Sequence, residues 1–450
     1  VSAGTHTGAG LDERGARRRY VAVSALFWLP IGLTIAPMVL LFTERGMALA
    51  AVTGFFAAHS LTAAVLELPT GGLSDVLGRR AVLAAAGLLN LGALVLLGLG
   101  TTAWPLALGM ALMGAGRALS SGPAEAWYVD TVQAAAGPEA DLRTGLAKGG
   151  VATSAALAAG TLLGGGLPWL LGLGPDLGAR LGDATGGLVL PLSVPPLLGA
   201  AVEVAYVVCV LVALPEPPRP PATLRAVLRD VPVTVRDGVR LAGRDGLVRR
   251  VVLSAGAAGG ALATVELLTP GRAAGLTGAA ESGAVLFAAL ACAGFVCSAL
   301  GNQLAPLTAR LAGGSGAGVL AGLGTAAGGL LVLGVTAAFD EGRGAGAAGA
   351  LAVAGFCLVY LGLGAAGPNE NEVLHRRVAS GNRATALSVQ SLALQLVGAV
   401  VGLVIGRLPG GAAPWLVGGA VLLAGAGLWA RPERSGARSP DVTHPRAGGG

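Results

Sequence analysis

Arg117, Glu125 and Glu266 are ionisable residues inside stretches of otherwise apolar sequence. A charge in the middle of a membrane span costs about 2.5–3.5 kcal/mol on insertion scales. Each must therefore face protein or a water-filled space and find a partner. Glu125 follows Arg117 by two helical turns, about 12 Å of rise, too far for direct pairing within one helix. Glu266, in a different apolar stretch, is the other candidate partner. Burial and a neighbouring arginine act on a carboxylate in opposite senses, the balance that lets it take up and release a proton. The plain alternative is a set of structural charges satisfied by packing. Glu203, Glu67 and His59 also stand in apolar surroundings: Glu203 has no evident partner, Glu67 either belongs with the polar loop that follows it or reaches the inner interface by snorkelling, and His59 reads as a hydrogen-bonded packing residue sooner than a proton relay.

Other chemistry is missing from the pattern. No phosphate-cradling Gly-rich sequence ending in Lys-Ser/Thr is present, so ATP is not the direct energy source. The histidines and cysteines show no metal-ligand spacing. Cys209, Cys292, Cys297 and Cys357 all fall in apolar stretches and read as inert core thiols. The chain reads as a non-enzyme with no cofactor and no metal.

The elements that must carry these charges are membrane helices. Hydrophobic residues make up 54% of the 450 residues and charged residues 12%, with mean hydropathy +0.72. The 76 glycines lack a three-residue period and lie among Leu, Val and Ala, as in helices that pack closely in lipid. Stretches of about 20 apolar residues predict twelve spans, near 20–42, 47–70, 81–100, 105–128, 150–171, 191–214, 249–270, 281–304, 315–339, 346–367, 385–407 and 414–430. The first span is too long for a signal h-region and lacks a small-residue cleavage site. Of the 30 basic residues, 24 fall in the tails and loops on one side. The positive-inside rule puts both termini in the cytoplasm of a multi-pass inner (plasma) membrane protein. The net charge of +6 follows from that bias and gives no reason to expect nucleic acid. One lysine against 29 arginines, with abundant Gly and Ala, suggests a GC-rich bacterial genome.

Pro215-Glu-Pro-Pro-Arg-Pro-Pro221 divides the chain into six spans and six. The predicted plan is a tail over 1–19, a six-helix bundle over 20–214, a linker with a basic amphipathic helix over 215–248, a second bundle over 249–431, and a disordered tail over 432–450. A faint echo of the loop after span two, Gly301-Asn-Gln-Leu-Ala-Pro-Leu-Thr-Ala-Arg310, follows span eight, as a six-plus-six repeat requires.

That loop after span two, Gly71-Gly-Leu-Ser-Asp75-Val-Leu-Gly78-Arg79-Arg80, resembles the signature Gly-x-Leu-x-Asp-x-x-Gly-Arg-Arg/Lys of the major facilitator superfamily, departing where Val76 replaces a second basic residue. Gly114-Ala-Gly-Arg117 through Asp130 is similar to the arginine-bearing fourth helix of its bacterial drug-exporter-like, twelve-helix branch. Arg383-Ala-Thr-Ala-Leu-Ser-Val-Gln390 resembles the opening of that branch's eleventh helix. Gly160-Thr-Leu-Leu-Gly164-Gly-Gly166 matches the antiporter motif only loosely, without its Gly-Pro pair.

The resemblance implies an all-α membrane fold of two six-helix bundles, with spans four and seven lining a central cavity. It implies a conformational latch of Gly71, Asp75, Gly78, Arg79, Arg80, Asp130 and Arg383, against which stands a solvated loop obeying the inside rule. Phe27, Trp28, Ser121, Tyr360 and Gln390 are candidate cavity residues, and core packing accounts for the aromatics equally well. The function expected is a monomeric transporter, proton-coupled and exporting apolar or amphipathic drug-like molecules. A proton symporter or facilitator importing a metabolite, and a non-transporting sensor or scaffold, are the alternatives. The partners expected are a small-molecule substrate, protons and the lipid bilayer.

Overall fold

The computed structural model describes residues 11–173, 176–216, 236, 240, 243–338, 347–378 and 383–430, and within these the side chains of 68–72, 75, 347 and 383–385 are left aside. The predicted linker helix, both extreme tails and the loop over 339–346 lie outside the described residues.

The described residues form helices throughout. In the first half these are α1 Glu13–Ile35, α2 Met38–Glu44, α3 Leu49–Leu77, α4 Arg79–Leu99, α5 Ala103–Ser120, α6 Pro123–Ala136, α7 Arg143–Leu171, the short α8 Leu177–Ala184 and α9 Val194–Ala213. In the second they are α10 Gly246–Thr277, α11 Ala280–Ala312, α12 Ser315–Ala338, α13 Ala347–Arg377, α14 Arg383–Ile405 and α15 Ala412–Gly427. Among the described residues nine helices are long and apolar enough to cross a membrane, and α1 with α2, bent by 43°, make a tenth. The remaining two expected spans are α5, which carries Arg117, and the 16-residue α15. The protein is a multi-pass, all-α membrane protein of two six-helix halves.

Two boundaries differ from the expectation. Span four is not continuous: α5 stops at Ser120, and Gly122 takes φ 96° before Pro123 opens α6. Glycine tolerates that conformation and proline suits the first helical turn, so Gly-Pro breaks an apolar run that otherwise reads as one helix. Conversely, the polar run 71–77 is helical, and the turn after span two narrows to Gly78 alone, at φ 95°.

The repeat is visible in which helices pair. Spans one and five (α1, α7), two and four (α3, α5), and three and six (α4, α9) pack together, and so do seven and eleven (α10, α14), eight and ten (α11, α13), and nine and twelve (α12, α15). Glycines set these contacts. A Cβ on Gly164 would lie 2.2 Å from the Leu33 carbonyl oxygen, and one on Gly259 only 2.0 Å from that of Leu394. Gly114 against His59 and Gly364 against Ser298 repeat the pattern between spans two and four and spans eight and ten. At the end opposite Gly78, Arg45 donates to the carbonyls of Gly98 at 2.6 Å, Gly100 and Leu188, and to Ser193 Oγ at 2.9 Å. Its counterpart Arg272, near the C-terminal end of α10, donates to Leu333 O at 3.0 Å in the C-terminal part of α12. Cations suit the partial negative charge of a helix C-terminus.

The two halves touch through spans two and eleven (α3, α14) and five and eight (α7, α11), with α2 against α10 and α11. At the Arg45 end, Gly406 lies against Thr53 and Gly165 against Ala284.

Because Gly259 meets backbone rather than a flexible side chain, Gly259→Ala is expected to cost about 1–3 kcal/mol. Gly328→Ala, on α12 with open space around it, is the control and should leave stability unchanged or slightly raised. Thermal unfolding in detergent checks this, and equal melting temperatures for the two variants would refute close packing at α10–α14.

Candidate functional site

A cavity of about 370 Å³ lies between the halves, within the usual range for small-molecule sites. Its lining is mostly apolar and aromatic: Trp28, Phe56, Met110, Phe287, Phe295 and Tyr360 among others. Three ionisable side chains join them, His59 from α3, Arg117 from α5 and Glu266 from α10.

Each is positioned by a local feature of the chain. Arg117 stands in the last turn of α5, because the Ser121–Gly122 break ends the helix just beyond it. It is thus not mid-helix, as the unbroken span four implied; it lies where the helix dipole favours a cation. Glu125, past the break, stands in the first turn of α6, where the dipole favours an anion. It is exposed, lies near Tyr20 and does not line the cavity.

Arg117 acts electrostatically on both Glu266 and His59. No ion pair within 4.0 Å is seen between Arg117 and Glu266, although both lie among the described residues. The two charges come from opposite halves and face one space. Tyr360 stands close enough to Glu266 to feel its charge. His59 has a backbone hydrogen bond with Met110, while its buried Nδ1 has no partner.

The other residues read from the sequence distribute as follows. Trp28 and Tyr360 line the cavity, whereas Phe27 is buried in the first half, 5.6 Å from Trp28 and 5.4 Å from Tyr206 between ring centres. Ser121 caps the end of α5 and is exposed. Gln390 points at Glu370, with its Nε2 3.4 Å from Glu370 Oε2. None of Phe27, Ser121 and Gln390 lines the cavity.

At the Gly78 end, Arg79 pairs with Asp130 and also donates to the Ala126 carbonyl. This ties the turn to α6 within the first half, not one half to the other. The amides of Arg79 and Arg80 donate to Glu216 at 2.9 and 3.2 Å. A carboxylate on exposed helix-initial amides is favoured by the dipole, so the start of the linker is anchored on the turn. Gly71 and Asp75 fall on the last turns of α3 and Arg383 begins α14, but their side-chain surroundings lie outside the described residues.

Three further carboxylates lie outside the site residues expected from the sequence, Glu67 half-buried and Glu370 and Glu203 buried. Glu67 accepts from Ser391 Oγ at 3.1 Å and from Gln395 Nε2 at 3.0 Å, a cross-half contact between α3 and α14. Glu370, on α13, lies beyond the point at which Pro368 was expected to end span ten, yet the helix runs on to Arg377. Glu203 is fully buried, with Asn90 Nδ2 donating to it at 3.2 Å, away from the cavity. Among the described residues no cluster of His, Cys, Asp and Glu could hold a metal ion.

Comparison with solved structures places this geometry in a known architecture. The chain shares its fold with solved transporters. The nucleoside transporter NupG aligns with TM-score 0.69 at 13% identity, over 92% of this chain and 98% of that one. A bacterial homologue of the human lysosomal transporter Spinster aligns at 0.68 and 15%, over 93% and 95%. The peptide transporter POT aligns at 0.63 and 16%, over 92% and 94%. No family model and no curated protein sequence matches the chain.

The polar ties at the Gly78 end carry a pH signature outside the membrane. Asp245 caps α10, accepting from the Leu247 and Val248 amides at 2.9 and 3.3 Å and from Arg377 Nε at 2.7 Å. Burial works to raise its carboxyl, but the bonds from Arg377 and the two amides outweigh it and hold the group below its ordinary value. A depressed folded value gives stability that is present above the unfolded value and lost as pH falls through the folded one. The melting temperature should therefore drop between about pH 5 and about pH 2. In Asp245→Asn, which keeps a good cap, part of that drop should vanish, as melting scans across pH would reveal.

Proposed function

We propose that this protein is a secondary active transporter, a proton-coupled exporter of apolar or amphipathic small molecules that works by alternating access. The observation that carries the reading is the cavity between the halves, where Arg117 of one half and Glu266 of the other face each other without an ion pair. Movement of the halves changes the distance between those charges, and so changes the cost of ionising Glu266. This is a physical link between proton occupancy and conformation. The apolar and aromatic lining, with few fixed hydrogen-bonding groups, suits a drug-like or amphipathic ligand and tolerates several.

The likeness of the fourth and eleventh spans to the drug-exporter-like branch of the major facilitator superfamily favours export, with protons as the coupling ion. Both termini in the cytoplasm of a bacterial inner membrane and a monomer with one cavity per chain complete the reading. In the latch proposed with it, Asp75, Gly78, Arg79, Arg80 and Asp130 brace the turn that must shift when the halves rock. One proton crossing 100 mV supplies about 2.3 kcal/mol, enough for roughly a fifty-fold ratio at about 1.4 kcal/mol per tenfold. The second reading, a symporter or facilitator importing a metabolite, has in its favour the shared fold of nucleoside and peptide transporters. A non-transporting scaffold is disfavoured by the cost of keeping intramembrane charges.

The test is uptake of a lipophilic cation dye into inverted vesicles, driven by an imposed pH gradient. Arg117→Ala and Glu266→Gln are each expected to lower the initial rate by about tenfold or more, because each removes one of the two charges whose changing separation sets the cost of ionising Glu266, about 1.4 kcal/mol per tenfold, with Asp75→Asn slowed as well. Dye movement that ignores the pH gradient, or that both cavity variants leave intact, would remove the coupling role.

A further inference from the structure

Glu370 is 5% exposed, in a helix that packs on α11 and α12 and, on the side facing the site, on α10 and α14. Its Oε1 lies 2.5 Å from Ser254 Oγ, and its Oε2 is 3.4 Å from Gln390 Nε2. Ser254, itself fully buried, is also 3.1 Å from the Val251 carbonyl oxygen. A serine hydroxyl has one hydrogen to give. A carboxyl that donates to Ser254 frees the serine's hydrogen for Val251 O and makes both contacts full hydrogen bonds, whereas an ionised carboxylate takes that hydrogen itself and leaves the Val251 contact weak.

Electrostatics point the same way. The charged and titratable groups on the surrounding elements include Arg249, Arg250 and Glu266 of α10, Arg310 of α11, Glu372, His375, Arg376 and Arg377 of α13, and Glu67 of α3 across α14, while α12 carries none; the Arg383 side chain lies outside the described residues. Among the described residues no cation forms an ion pair with Glu370 within 4.0 Å, and its side-chain partners are Ser254 and Gln390. A buried carboxylate without a cation is costly, and it neutralises where it can.

We propose that Glu370 is a second proton-binding site of the chain, in the second half and outside the cavity, holding its proton against Ser254 in the conformation seen here. On deprotonation the O–H bond breaks, the electron pair stays on the carboxylate and the proton passes to water at the Gly78 end. Ser254 then turns its single hydrogen from Val251 to Glu370, and Gln390 is drawn in as the second donor. Gln390 adjoins Ser391, which with Gln395 holds Glu67 of the other half. The charge state of Glu370 thus acts through α14 on the contact between halves. This coupling consequence rests on the transporter reading; the proton site itself does not.

Infrared spectroscopy of the whole protein in proteoliposomes, titrated with pH, separates the two. The expected result is a protonated-carboxyl stretching band that titrates, disappears in Glu370→Gln and persists in Glu266→Gln. In Ser254→Ala the band should shift to the frequency of a more weakly bonded acid, which keeps the test open if Glu370→Gln does not fold. A Glu370→Gln spectrum identical to that of the wild type, or no shift in Ser254→Ala, overturns the proton site. The second readout is dye movement. Glu370→Gln, fixed in the neutral form, should keep dye exchange without a gradient but lose accumulation against one. If the band behaves as expected while accumulation survives, the proton site stands and its coupling role is overturned.

Discussion

Apolar side chains in lipid gain nothing by exchanging a lipid neighbour for a protein one, so helices must be held together by close approach and dispersion. In this protein the approach is made by glycine. Gly164 against Leu33 and Gly259 against Leu394 bring backbones to distances that no side chain tolerates, and they do so at equivalent places in the two halves. Everything else is arranged around those pairs. They fix spans one and five as one unit and seven and eleven as its counterpart, and the cavity is the space left where the units face each other.

A second constraint follows from the first. With interfaces this tight, a charge is tolerated only at a helix end, in the cavity, or inside a closed hydrogen-bond set. Arg45 and Arg272 take the first option by capping carbonyls at one end of the molecule. Arg117 takes the first and second together, because the break after Ser120 creates a helix end beside the cavity. Glu370 takes the third, while Glu203 is held on one oxygen by Asn90 and leaves Oε2 buried without a partner. The placement of charge is therefore read more directly from where helices stop than from where apolar sequence stops.

That distinction separates what was legible in the sequence from what was not. Span number, the pairing of halves and the turn at Gly78 could be read from apolar length, basic-residue bias and one spaced motif. The charges of Arg117 and Glu266 were equally plain, since any ionisable residue in such surroundings draws notice. Missed were the features set by helix continuity. Gly122-Pro123 is a turn signal, but the apolar residues on both sides concealed it. Pro368 is the opposite case: it reads as a helix end, and the Asn-Glu-Asn-Glu run after it as a solvated loop. Yet α13 continues and Asn369 is buried, donating to Ala305 O at 3.2 Å and Thr308 Oγ1 at 3.3 Å. Side-chain bonds to α11 hold the helix past the proline, and only tertiary structure shows that.

The two halves agree in packing and disagree in chemistry. Gly114 of span four and Gly364 of span ten lie against a carbonyl of spans two and eight, the equivalent spans of their halves. Arg117 stands three residues after the first, at a helix end; Glu370 stands six after the second, inside a continuous helix. A symmetric scaffold carrying a cation in one half and carboxylates in the other has an electrostatic polarity across its cavity that symmetric packing alone would not give. On the proposed alternating-access reading, rocking the halves would change charge separation while each half keeps its internal contacts. Close-packed glycine pairs make each half stiff, so the cross-half contacts of Glu67, Arg117 and Glu266 are where such motion must be registered.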